Sequence, residues 1–177
     1  AQGGTVAVVG DRVIYYPPKD FNGTDTLEYL VSDDGLSNGK PDPQTSKGTV
    51  TVVVAAVNDP PFVVKPFGTV TVLEDAPELT FVLSQYFNDP DIVTNGDALT
   101  YRVVSNSNTS LVEPTFGGGN MFVKPKPDQN GQATIVVEAM DRAGLKVTST
   151  LRFVVTPVDD DPRLVNPLPD RVTSRSE

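Results

Sequence analysis

Cysteine, histidine and tryptophan are all absent from the 177 residues. Without cysteine no disulfide staples the fold, and no thiolate serves as nucleophile or soft-metal ligand. Cysteine-free chains occur both on bacterial surfaces and in the cytosol, so this absence alone assigns no compartment. Without histidine the usual proton carrier near neutral pH is missing, and a His-Glu-x-x-His zinc site is excluded. No apolar run is long enough to span a bilayer as a helix. Basic residues are scarce: 14 Lys and Arg stand against 23 Asp and Glu, a net charge of −9. Such a chain repels nucleic acid and anionic membranes, which excludes nucleic-acid partners and membrane insertion. Its carboxylates form either a solvated acidic surface or, where they converge, a seat for a hard cation.

Pro and Gly together number 30 and fall between short stretches rich in Val and Thr. That is the composition of β-strands joined by turns. Residues 5–9 and 12–16 read as a hairpin around Gly10-Asp11. Residues 25–32 alternate, with Leu27, Tyr29 and Val31 on one face. Residues 49–57 close a first unit, after a loop full of turn formers over 32–48. Asn58-Asp59-Pro60-Pro61 then interrupts any strand, because two prolines remove two backbone donors. Further strands are expected at 69–73, 79–83, 98–104, 109–113, 120–124, 132–140 and 145–156. Seven strands in this length predict an immunoglobulin-like sandwich. No stretch reads as a long helix, although 83–88 has the character of a single turn. Gly117-Gly118-Gly119 lacks the Lys and Ser/Thr of a phosphate loop and reads as a tight strand connection.

The chain repeats itself. VNDPP at 57–61 returns as VDDDP at 158–162. YYPPKDFNGTDTLEYLVSDDG at 15–35 parallels FVKPKPDQNGQATIVVEAMDRAG at 122–144. PRLVNPLPDRV at 162–172 is similar to PFVVKPFGTVTV at 61–72. The phasing predicts the last strands of one repeat at 1–59, a complete repeat at 60–160, and a linker with the start of a following repeat at 161–177. The opening Ala1-Gln2-Gly3-Gly4 reads as an internal point of a longer chain. A first unit of four strands leaves half a core open, to be completed by upstream residues or by a partner.

The strings DFNGTDTLEYLVSDDG, VNDPP, YFNDPDIVTNGDALTYRVVSN and VVEAMDRAG carry a resemblance. In their order and spacing they are similar to the cadherin-like tandem repeats of large bacterial adhesins and surface proteins. The resemblance covers nearly the whole chain. It implies an all-β fold of immunoglobulin-like, cadherin-like Greek-key sandwich repeats, outside the cell or at its surface. It implies a non-catalytic spacer or adhesion module whose partners are neighbouring repeats of the same parent chain. The alternative is a module that itself binds a cell-surface, polysaccharide or protein ligand, which calls for an exposed aromatic row.

In cadherins calcium sits between successive repeats. Carried over, Asn58 and Asp59 match the linker ligands, Asp89 and Asp91 the Asp-x-Asp loop, and Asp141 the strand-end aspartate. A second calcium site is expected near Glu74, Asp159 and Asp160. Two departures reduce the number of ions implied: the first linker aspartate of the pattern is Ala56 here, and the middle acidic cluster has no clear match. Asp97 is expected outside the ligand set. Asp33 occupies the repeat position of Asp141. The plainer reading of 89–91 is an Asp-rich turn capped by its own side chains. Asn22-Gly23-Thr24 and Asn108-Thr109-Ser110 fit a glycosylation pattern but read more simply as turns. Tyr86-Phe87 either packs a strand end or is exposed to a partner. Paired carboxylates of a glycosidase would here lie in turns, with no aromatic platform to hold a sugar.

Overall fold

The structure is a computed structural model, and it describes residues 3–161. The expected start of a further repeat at 162–172 lies outside the described residues. Two antiparallel pairs make up the first part. Strands β1 (Thr5–Val9) and β2 (Arg12–Tyr16) form the hairpin around Gly10-Asp11. Strands β3 (Gly23–Ser32) and β6 (Thr45–Val54) pair along their whole length. The loop between β3 and β6 holds a small hairpin of its own, β4 (Leu36–Ser37) with β5 (Lys40–Pro41). Asp33 caps it, its Oδ1 accepting from the N–H groups of Gly35 at 3.1 Å and Gln44 at 2.8 Å. The two main pairs face each other, and the Tyr15 hydroxyl donates to the buried Asp25 at 2.9 Å.

The second part is a two-sheet sandwich. Its strands are β7 (Phe62–Val63), β8 (Gly68–Leu73), β9 (Leu79–Val82), β10 (Phe87–Asn88), β11 (Thr100–Asn106), β12 (Thr115–Gly117), β13 (Asn120–Val123), β14 (Gly131–Met140) and β15 (Lys146–Thr156). One sheet has the order β11-β14-β15-β8 and the other β12-β13-β9, while β10 and β7 form a short pair. Strand β8 joins β15 in parallel and every other pairing is antiparallel among the described strands. Alternation explains the core. Ile135, Val137 and Ala139 of β14 and Leu151, Phe153 and Val155 of β15 point inward, together with Phe87, Met121 and Leu111. Thr134 of β14 and Thr148, Thr150 and Arg152 of β15 face out, as period-two patterning demands, while Ser149 keeps the inward phase and accepts from the Phe67 N–H.

Three local expectations change. Residues 109–111 form a turn and Val112 makes only an isolated bridge to Pro125, because the Asn108 side chain accepts from the Ser110 hydroxyl and the Leu111 N–H. A side chain that satisfies nearby donors competes with a strand ladder; the strand here is β12 instead. Residues 83–88 split into a 3-10 turn at Leu83–Gln85 followed by β10. A four-residue helical turn, α1 (Asp91–Thr94), follows Pro90. Tyr86 stacks on Phe67 with centroids 4.4 Å apart, and Phe87 is buried, so this pair packs the strand end.

Register positions the candidate site. Strands β11 and β14 pair Thr100 with Met140, so the 89–97 loop entering β11 and the turn leaving β14 meet at one end. The linker 55–61 arrives at the same end.

Candidate functional site

The 89–97 loop folds back on itself. Pro90 takes helical dihedrals (φ −58, ψ −32), and the Asp91 N–H donates to Asp89 Oδ1 at 2.8 Å. The N–H groups of Asn95 and Asp97 both donate to the Asp91 carbonyl, at 2.9 and 3.1 Å. Gly96 supplies the left-handed residue this reversal needs (φ +67). The loop therefore returns the Asp97 side chain toward Asp89. On the neighbouring turn, Asp141 Oδ1 accepts from the Leu145 N–H at 2.7 Å.

Carboxylate oxygens of Asp89, Asp97 and Asp141 lie within 4.8 Å of one another. Asp89 is 1% and Asp141 2% exposed, and the Asp97 side chain is 7% exposed. Asp89 Oδ2 and Asp97 Oδ2 are buried with no hydrogen-bond partner. Buried carboxylate oxygens are normally paired, and like charges this close repel. Burial pushes the Asp89 carboxyl above its ordinary range, and Asp97, Asp91 and Asp141 push it further against the opposing Asp91 N–H bond. Burial also acts to raise Asp141, but the Asn58 amide and the N–H groups of its own turn outweigh it and hold Asp141 low. A hard divalent cation suits this donor set, because it would satisfy the two unpartnered oxygens and offset the crowded charge.

The linker ties in from the other side. Asn58 Nδ2 donates to Asp141 Oδ2 at 2.9 Å, and the Asp59 N–H donates to Asp91 Oδ2 at 2.7 Å. Asp91 also accepts from Thr94 and Asn95 through Oδ1. Its oxygens are thus engaged, and the carboxylate that groups with Asp89 and Asp141 is Asp97, the residue expected outside the set. The helical turn after Pro90 causes this: it directs Asp91 toward the linker and brings Asp97 round into the cluster. Asp59 and Asp91 also line a cleft of about 270 Å³ with Pro17, Pro18, Asp20 and Phe21 of the first part.

At the opposite end of the sandwich, Asp75, Asp128 and Asp160 bring carboxylate oxygens within 4.8 Å of one another, all three exposed. Glu74 is buried beside them, with Oε1 accepting from the Val158 N–H and Oε2 from Asn130 Nδ2 at 3.4 Å. Although exposed, Asp160 is raised first by partial loss of its water shell, then by Asp75, Glu74, Asp128 and Asp159. Of Glu74, Asp159 and Asp160, only Asp160 enters this acidic trio. Asp75 and Asp128 were not anticipated, although a signal for Asp128 existed. Asp20 and Asp128 hold equivalent places before Asn22-Gly23 and Asn130-Gly131, and both adopt left-handed backbone (φ 59 and 56). Asp33 caps its own hairpin as described and has no acidic cluster around it among the described residues.

Residues 58–154 match the family model described as bacterial Ig domain. The chain belongs to that family. It is accordingly an immunoglobulin-like module of bacterial, extracellular kind, non-catalytic in type. Solved structures agree on the fold. The extracellular cadherin domains 1–5 of protocadherin gamma B2 align with a TM-score of 0.61 at 18% identity, covering 89% of this chain and 32% of that one. Cadherin domains 1–4 of protocadherin gamma B7 align with a TM-score of 0.54 at 22% identity, covering 88% of this chain and 39% of that one. The bacterial Ig chain thus spans about a third of the length of these cadherin structures. Among the described residues no helix is long and apolar enough to cross a membrane.

Proposed function

We propose that the chain is a spacer segment of an extracellular repeat protein, stiffened by calcium at the junction near residue 59. The observation that carries this reading is the pair of buried, unpartnered oxygens of Asp89 and Asp97 beside Asp141. Asp89, Asp97 and Asp141 would hold the ion directly. Asn58, Asp59 and Asp91 would tie the linker to it, because both linker residues already bond into the same loops. Calcium would supply the positive charge that lets three carboxylates share one buried pocket. The boundaries that go with this reading are 1–59, 60–160 and 161–177, with neighbouring repeats of the parent chain as partners. A second, weaker site would use Asp160 with Asp75 and Asp128, and Glu74 and Asp159 would shape its surroundings.

Titration calorimetry and small-angle scattering test the reading together. Calcium should bind with saturable heat, and the scattering should lose flexibility as the first site fills, since binding stabilises the ordered junction it requires. Asp89→Asn should abolish both effects. An unchanged scattering profile at saturating calcium, with no heat of binding, would leave the junction held by packing and proline stiffness alone.

A further inference from the structure

Arg142 follows Asp141 directly and reaches across to the facing loop. Its backbone N–H donates to Asp97 Oδ1 at 3.3 Å, and its Nη1 donates to the Gly96 carbonyl at 2.7 Å. Its Nε lies 3.9 Å from Asp97 Oδ1. The Ala98 N–H donates to that same oxygen at 2.6 Å. Apart from the bond to Gly96, which holds the loop backbone, these donors fall on Oδ1, so the Asp97 carboxylate cannot turn without losing them. Oδ2 is therefore left facing the pocket it shares with Asp89 and Asp141.

We propose that Arg142 is a positioning residue of the cation site: it fastens the 89–97 loop to the β14–β15 turn and thereby presents Asp97 Oδ2 to the ion. This inference rests on the calcium reading. Two effects of Arg142 compete, and magnitude decides between them. A positive charge near a cation site lowers affinity by repulsion. The Arg142 side chain is 68% exposed, however, so water and salt screen that repulsion. The hydrogen bond to Gly96 depends instead on the reach and planar donor fork of the guanidinium, which the single ammonium of lysine does not reproduce.

The decisive comparison uses the full chain and three proteins: wild type, Arg142→Lys and Arg142→Gln. Lysine keeps the charge and loses the fork; glutamine loses both. Calcium affinity is read by calorimetry, ion release by terbium luminescence with rapid chelation, and folding by thermal melts in chelator. Arg142→Lys should weaken calcium binding by about three- to tenfold, the worth of one net hydrogen bond. Terbium should leave correspondingly faster, while the melt in chelator stays near the wild-type value. Arg142→Gln should weaken binding as well. Wild-type affinity in Arg142→Lys, or tighter binding in Arg142→Gln, overturns the positioning role and makes Arg142 a bystander or a competing charge. A wild type that gives no saturable heat overturns the calcium reading itself, and this inference with it.

Discussion

Asp97 and Asp89 each hold a buried oxygen without a partner, which sets opposite expectations with and without calcium. Asp97→Asn removes one charge from a crowded pocket. In chelator it should raise the melting temperature by a few degrees, because a repelling carboxylate is gone. In calcium it should melt below the wild type, since a ligand is gone; paired calorimetric scans read both signs. Glu138 makes a different case. Its hydrogen bond from Arg102, 2.7 Å from Nε to Oε1, is the main cause that holds its carboxyl below the ordinary range, and Lys146 adds to it. A carboxyl with a lowered folded pKa contributes stability above its unfolded value, near 4.5, and that contribution is lost as pH falls through the lowered value. Urea midpoints followed down through that window should fall less steeply for Glu138→Gln than for the wild type.

At the scale of elements, the paired strands differ in what holds them. Strand β14 is buried on its inner face, and Ile135 is fully enclosed. Truncating it to alanine should cost about 2–5 kcal/mol by chemical denaturation, through lost burial and a residual cavity. Strand β3 lies opposite β6 with Tyr29 facing Gly48, and its ring covers the space where a side chain would stand. A Cβ there would collide with Cζ of the Tyr29 ring. Tyr29 is half exposed, so the ring can swing away, and the loss is its packing against the glycine. Gly48→Ala should therefore cost only about 1 kcal/mol, well under Ile135→Ala.

For the molecule as a whole, the two parts are unequally covered. The groove between the β1–β2 and β3–β6 pairs, about 600 Å³, is lined by Val6, Val8, Val13, Leu27, Leu30 and Val50. Val8 is 74% and Leu30 67% exposed. An apolar patch of this kind binds hydrophobic dyes. The chain should enhance the fluorescence of such a dye, and Val8→Asp with Leu30→Asp should remove most of that enhancement. The melt of the second sandwich should be unaffected, because neither residue belongs to its core. Dye binding that survives both substitutions would place the sticky surface elsewhere.

The all-β fold and most strand positions were legible from local pattern, because period-two alternation and Pro-Gly punctuation are short-range signals. Strands β1, β2, β8 and β14 lie within a residue or two of their expected ranges. At 108–113 two local signals compete: Asn108-Thr109-Ser110 reads as a turn and 109–113 as a strand, and the turn wins because the Asn108 side chain captures nearby donors. Asn58, Asp59, Asp89, Asp91 and Asp141 are what the cadherin resemblance implies, and the fold brings all five to one end of the sandwich. Which carboxylates share the pocket was decided only in three dimensions. Pro90 starts a helical turn that sends Asp91 to the linker, Gly96 reverses the chain, and the Thr100–Met140 register sets Asp97 beside Asp141. Residues 97 and 141 are far apart in sequence, and a carboxylate's partner depends on backbone direction and strand register, neither of which spacing alone encodes.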